Sequence, residues 1–371
     1  MANSAQNVSL AQDPADQWVG REIDGRYRIL ELLAEGGMGA VFIAEHVKLH
    51  KQVAIKTIKT EFAANSQAEG RFAREALATG QIDHPHVVSA IDYGSLPEGG
   101  MYLVIQLVRG ENLNGRIERG ALPWQQVCLL GSQIADALAA AHAIGIIHRD
   151  LKPENVLLEQ RSDARLHARV VDFGIARVSE EIDGMLAEPG QPLTRTGAVI
   201  GTPGYMPPEQ AVGSPIDFRV DLYALGVILW ECCTGKFLWE GESLAELCAI
   251  QLAMPAPSLR DAGRNIPTAL AALVDRLLAR NPADRPASAA EVRDELRRLA
   301  LRGELAEVAG SARPVTMVGL TPLHATPGGA SHAGPAVVAT HGSQSRALWA
   351  VAALLVLLIA MVGWFGASAK L

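Results

Sequence analysis

A lysine, two aspartates and an asparagine stand at spacings that suit one kind of chemistry. Lys56 closes the run "VAIK", so its ammonium emerges from a strand-like stretch of Val53, Ala54 and Ile55. A cation leaving an apolar strand needs a fixed anionic partner, and Glu75, on a helix-patterned segment with Phe72 and Leu77, is a candidate. Farther along, "HRDLKPEN" brings Asp150, Lys152 and Asn155 together, and "VVDFG" places Asp172 17 residues beyond Asn155. Hard divalent cations such as Mg2+ take oxygen ligands, which Asn155 and Asp172 can provide. Asp150 is placed to accept a hydroxyl proton, and Lys152 can pair with a transferring phosphate. Those are the parts required to move a γ-phosphoryl group from a polyphosphate to a hydroxyl. Each residue alone is more often a surface charge or a helix cap; their order along one chain carries the inference.

A glycine-rich stretch precedes them. In "LLAEGGMGAVF", residues 32–42, Gly36, Gly37 and Gly39 lie between two strand-like runs. Residues without Cβ let backbone amides approach phosphate oxygens closely. Glycine clusters are common in ordinary hairpin turns, so the stretch gains weight only from Lys56, 17 residues after Gly39.

The elements that would hold these groups fall into two halves. From Tyr27 to Val108, "YRILELL", "AVFIAEHV", "QVAIKTI" and "MYLVIQLV" read as strands, interrupted by one helical pattern, "SQAEGRFAREALATGQI". After Glu111 the pattern turns helical. Val127, Leu130, Ile134, Leu138 and Ala141 form one stripe ending near Gly145, as an amphipathic helix with a glycine stop requires. "SLAEL" at 243–247 and "SAAEVRDELRRLA" at 288–300 each open with the Ser-x-x-Glu capping pattern. The expected fold is α+β: a strand-rich lobe at about 25–107 and a helical lobe at about 108–301, after a flexible leader at 1–24. Residues 302–345, rich in Gly, Pro and Ala, read as a disordered tether.

With these motifs in place, the chain resembles the eukaryotic-like serine/threonine protein kinases of bacteria over about residues 27–300, and the bilobal protein-kinase fold is the expectation. "GTPGYMPPEQ", "DLYALG" and "NPADRP" extend the resemblance. It implies ATP with Mg2+ (or Mn2+) as cofactors and protein substrates. The nucleotide site it implies takes Leu33, Ala34, Glu35, Gly36, Gly37, Met38, Gly39 and Val41 from the glycine-rich stretch. Ala54, Lys56 and Glu75 join them, with Ile105, Gln106 and Leu107 at the lobe junction. Lys56 would contact the α- and β-phosphates and pair with Glu75. Asp150 would be the catalytic-loop aspartate, and Asn155 and Asp172 would hold the metal. Lys152 in "DLKPEN" is typical of kinases acting on Ser or Thr. Glu209 would pair with Arg285, and Asp221 would brace the catalytic loop. Arg149 would bind phosphate on an activation segment in which Thr194 and Thr196 are the autophosphorylation sites. His148, which a general-base reading would use, becomes by resemblance a packed residue beside Phe173. Glu154 stays open between substrate contact and structure. Three departures, Ala34, Pro207 and Gln106 (the last where glutamate is frequent), leave Lys56, Asp150, Asn155 and Asp172 intact. A non-catalytic scaffold on the same fold is the alternative that those intact residues argue against.

Composition agrees with this. The net charge of -7 and pI near 5.8 exclude a nucleic-acid binder that relies on a broad basic surface. Four cysteines without Cys-x-x-Cys spacing suit a reduced, intracellular setting, and the opening residues lack the order of a signal peptide. His84 and His86 flank Pro85 in a turn without further Cys or His nearby, so a metal is not expected there. "ALWAVAALLVLLIAMVGWF", 19 positions without a charge, would span roughly 28 Å as a helix, close to a bilayer's hydrocarbon. The expectation is a single transmembrane helix at 346–366 with a short tail at 367–371. It would anchor the protein in the inner cell membrane with the catalytic lobes cytoplasmic, and two-dimensional proximity would favour a dimer for trans-autophosphorylation.

Overall fold

The computed structural model describes residues 16–36, 39–58, 76, 79–97, 99–160, 166–173, 203–241, 244–262 and 265–311. The expected tether beyond residue 311 and the expected membrane helix at 346–366 lie outside them. No helix among the described residues is long and apolar enough to cross a membrane.

Six strands form the first sheet: β1 Glu22–Ile23, β2 Tyr27–Gly36, β3 Gly39–His46, β4 Lys51–Ile58, β5 Ala90–Ser95 and β6 Met101–Gln106. Their order is β1-β2-β3-β4-β6-β5, antiparallel throughout. β-Branched and aromatic residues favour this pleated surface. One face is closed by Tyr27, Ile29, Phe42, Ala44, Val53, Ile55, Tyr102 and Val104, all buried, with Trp18 stacked on Phe42 at 5.5 Å. The four strand-like runs of the sequence are β2, β3, β4 and β6. β5, "AIDYGS", was not among them, because its burial alternates only between half-exposed and exposed and its apolar content is correspondingly thin.

A second sheet, β7 Glu111–Asn112, β8 Val156–Gln160 and β9 Leu166–Val170, lies against the helices. Among the described residues the later helices are α1 Leu113–Glu118, α2 Trp124–Ala143, α3 Pro208–Ala211, α4 Arg219–Thr234, α5 Leu244–Ala253, α6 Thr268–Leu277 and α7 Ala289–Ser311. The stripe Val127, Leu130, Ile134, Leu138 and Ala141 on α2 is wholly buried, and Gly145, at φ +77°, turns the chain after α2 ends. At Gly131 a Cβ would meet the Leu229 Cδ2 methyl at 2.5 Å, so a larger residue would have to push that side chain aside where α2 packs on α4. At the start of α7, Ser288 Oγ accepts from Glu291 N at 3.1 Å as the capping pattern announces, while Glu291 Oε2 accepts from Ala287 N at 3.0 Å, one residue before the amide of the strict box. That helix runs to Ser311, ten residues into the stretch expected as tether; "LRGELAEVAGS" keeps good helix formers and continues the α7 pattern.

Candidate active site

The two sheets deliver charged groups to one cleft. Lys56 sits in the middle of β4, opposite Val41 on β3 and Leu103 on β6, and Ile55 beside it is fully buried. Central strand pairing on both sides fixes its backbone. Its Nζ donates to Asp172 Oδ2 at 2.8 Å, with about a quarter of each side chain still exposed. Glu75, the partner expected for Lys56, lies outside the described residues.

Asp172 is positioned by the β8–β9 hairpin, in which Val156 pairs with Val170. Beyond the pairing, Val171 N–H donates to Asn155 O at 3.0 Å and His148 Nε2 contacts Val171 O at 2.9 Å. Phe173 is fully buried against the His148 ring at 4.8 Å, and Thr79 Oγ1 donates to Phe173 O at 2.9 Å. His148 is therefore a packed residue that holds the Asp172 segment, and its ring faces away from general-base duty. Asp172 adopts φ +63°, unusual for a non-glycine residue and tolerated where neighbouring bonds over-determine the backbone. Burial pushes the Asp172 carboxyl upward, but the Lys56 ammonium, aided by His148 and Lys152, outweighs this and holds it below its ordinary value.

The loop carrying Asp150 hangs from one buried carboxylate. Asp221, in the first turn of α4 and fully buried, accepts from His148 N and Arg149 N at 2.8 Å each and contacts His142 Nε2 at 2.8 Å. Those bonds hold Arg149 at φ +66°. Asp150 then meets Lys152 Nζ at 2.9 Å, and Asn155 Nδ2 donates to Asp150 O at 2.8 Å and lies 3.4 Å from its Oδ2. With its NH2 group so engaged, the Asn155 amide has its oxygen left as a ligand. A carboxylate and an amide oxygen on adjoining segments are a donor set that suits Mg2+, so the residues present fit that metal.

Around this centre the remaining expected positions separate by burial. Leu33, Ala34, Glu35 and Gly36 are exposed on β2, and Gly36 pairs with Gly39 across the tip. Ala54 is buried, while Val41, Ile105 and Leu107 are half-buried. Gln106 is exposed and accepts from Arg169. Gly37, Met38, Thr194 and Thr196 lie outside the described residues. Glu209 and Arg285 form a two-pronged pair at 2.6 and 2.8 Å. His84 lies 3.6 Å from Asp136, and His86 Nδ1 contacts Ala168 O at 2.9 Å, so both turn histidines serve the packing between segments.

Three participants had no signal in the sequence: His142, which shares Asp221; Arg169; and the buried pair Tyr205–Glu231, whose hydroxyl and carboxylate meet at 2.8 Å. Their partners are 26 to 79 positions away, and no local spacing encodes contacts of that length.

A strand-rich lobe and a helical lobe thus bring lysine, aspartate and asparagine side chains together where they meet. The protein kinase domain matches residues 27–295, and the chain belongs to the protein kinase family. Among its relatives, serine/threonine-protein kinase pkn3 of Myxococcus xanthus is 40% identical over 284 residues, covering 76% of this chain and 51% of that protein. Serine/threonine-protein kinase PknD of Mycobacterium tuberculosis is 38% identical over 271 residues, covering 72% of this chain and 39% of that protein. The chain thus spans about half, or less, of the length of these curated relatives. The crystal structure of the Mycobacterium tuberculosis PknI kinase domain superposes with a TM-score of 0.58 at 25% identity, covering 75% of this chain and 97% of that domain.

Proposed function

We propose that the protein is a serine/threonine protein kinase of bacterial signal transduction that transfers the γ-phosphoryl of ATP to Ser or Thr hydroxyls of proteins. The observation that carries this reading is the convergence of two groups, Lys56 on Asp172 at 2.8 Å and Lys152 and Asn155 on Asp150 at 2.9 and 2.8 Å, joined through Val171 N–H to Asn155 O at 3.0 Å. The names of the relatives support the Ser/Thr class.

In this reading each side chain has one task. Asp150, held by Asn155 through its backbone oxygen, orients the acceptor hydroxyl and takes its proton. Lys152, 2.9 Å from Asp150, keeps a positive charge beside the acceptor oxygen. Lys56 leaves Asp172 for phosphate oxygens of the nucleotide, which frees Asp172 to serve with Asn155 as metal ligand. Bound there, Mg2+ would supply neutralising charge for the polyphosphate. The Asp221 bonds to the loop backbone keep Asp150 in place without further reorganisation.

The remaining parts of the reading rest on sequence alone. Phosphorylation of Thr194 or Thr196, read by Arg149, switches the site on; a helix at 346–366 anchors the protein in the inner membrane with the kinase domain cytoplasmic; and dimers phosphorylate in trans. The test is radiolabelled ATP incubated with the full chain in detergent, alone and with a generic protein acceptor. Label is expected on Thr and Ser, with Asp150→Asn lower by about a hundredfold or more. Equal incorporation by wild type and Asp150→Asn would refute the reading.

A further inference from the structure

Arg169 on β9 stands at the junction of the lobes. Its Nη2 donates to Gln106 Oε1 at 2.8 Å and to Val87 O at 3.1 Å. Gln106 ends β6 and gives its own backbone N–H to Ser89 O at 3.1 Å. Val87 forms a parallel bridge to Val170, and Val170 N–H donates to His86 O at 2.9 Å. One guanidinium nitrogen therefore ties three pieces together: the end of β6, the segment that enters β5, and the strand that leads two residues later to Val171 and Asp172. Meanwhile Arg169 Nε is buried and finds no hydrogen-bond partner among the described residues. A buried N–H without an acceptor lowers stability, so packing alone would favour an apolar side chain of similar length at this position. That cost offsets the bond to Val87 O, so the net stability gain from the arginine is small and its reach to Gln106 is the better account of it.

We propose that Arg169 is a positioning residue for the nucleotide, which acts through Gln106 to fix the Ile105–Leu107 backbone relative to Asp172. Both ends of the adenine nucleotide are then held at a set separation: the base against 105–107 and the phosphates near Lys56 and Asp172. This rests on the kinase reading above. Because the Gln106 side chain is exposed, water competes for the bond and the effect is of moderate size.

The test measures ATP and ADP affinity by calorimetry with Mg2+ present, steady-state KM and kcat, and thermal melting, on the full chain in detergent. The variants are Arg169→Met, Arg169→Lys, Gln106→Leu and the double Arg169→Met/Gln106→Leu. Arg169→Met is expected to weaken nucleotide binding and raise the KM for ATP by about fivefold to tenfold, with kcat changed by about twofold or less and the melting temperature not lowered. Gln106→Leu should give the same shift, the double variant no more than either single one, and Arg169→Lys a partial rescue. Unchanged affinity in Arg169→Met overturns the proposal. So does a fall in affinity that tracks a fall in melting temperature, or additive losses in the double variant. Wild-type protein that binds no adenine nucleotide overturns the kinase reading and this proposal with it, whereas wild-type binding matched by Arg169→Met overturns this proposal alone.

Discussion

Lys56–Asp172 and Glu209–Arg285 both join residues far apart in sequence, 116 and 76 positions, yet they are built in opposite ways. Among the described residues the first makes a single 2.8 Å contact, and about a quarter of each side chain faces solvent. The second is two-pronged, and the Arg285 side chain is fully buried. Arg285 also donates to Ala279 O at 2.9 Å and to Arg219 O at 3.0 Å, and its guanidinium lies 5.0 Å from the Tyr223 ring centroid. A single-pronged, partly exposed lysine contact can be exchanged for another anion at small cost. A planar fork whose donors all have acceptors cannot be exchanged at all without leaving buried charge behind. On the proposed function the Lys56–Asp172 pair is made to be broken when the nucleotide binds; the Glu209–Arg285 pair is made to stay.

Lys56→Met breaks the comparison at its most sensitive point. Phosphotransfer should fall by about a hundredfold or more, since a fixed cation aimed at transferring charge is worth that much. Stability should change by about 1 kcal/mol or less, as for a partly exposed pair. Parallel assays of incorporation and urea midpoint would check this. A large loss of stability would mean that the cleft pair is scaffolding after all.

Arg285→Ala probes the other side. Removing the fork strands the Glu209 carboxylate and the carbonyl oxygens of Ala279, Arg219 and Arg280, so unfolding free energy should drop by about 3–5 kcal/mol. Denaturant titration measures it. A drop below about 1 kcal/mol would erase the distinction between the two pairs.

The contrast also explains what could be read from the sequence. The loop carrying Asp150 could be singled out as a candidate site because Asp150, Lys152 and Asn155 lie close together in the chain, and resemblance to a kinase family suggested their roles. The strands β2, β3, β4 and β6 and the stripe on α2 were legible because apolar periodicity is local. β5 escaped because an edge strand with one half-exposed face has little apolar signal. The partner that Lys56 meets here, Asp172, escaped for a different reason: a strand lysine announces that it needs an anion, but several carboxylates satisfy that demand, and only the β8–β9 hairpin selects among them. Arg169 and Gln106 could not be paired without knowing that β6 and β9 meet at the junction.

Glu231 sharpens the comparison, because it is a buried carboxyl that no cation pairs with among the described residues. Burial raises its pKa to about 7, offset in part by the Tyr205 hydroxyl at 2.8 Å and the Leu238 N–H at 3.3 Å, while the charge on Glu154 adds to the rise. A carboxyl raised from 4.5 to about 7 binds a proton in the fold that the unfolded chain has already released. Stability therefore declines as pH climbs through that window, and the full penalty is present above it. Glu231→Gln removes the ionisable group but keeps a hydrogen-bonding side chain of the same size. At pH 5 the variant should be close to wild type or slightly weaker. At pH 8 it should be more stable than wild type by up to about 3 kcal/mol, the free energy equivalent to the shift. Denaturant titrations at both pH values read the difference directly. Equal differences at pH 5 and pH 8 would show that Glu231 keeps an ordinary carboxylate pKa and that burial without a cation is tolerated here, which would remove the reason for Glu209 to have its arginine.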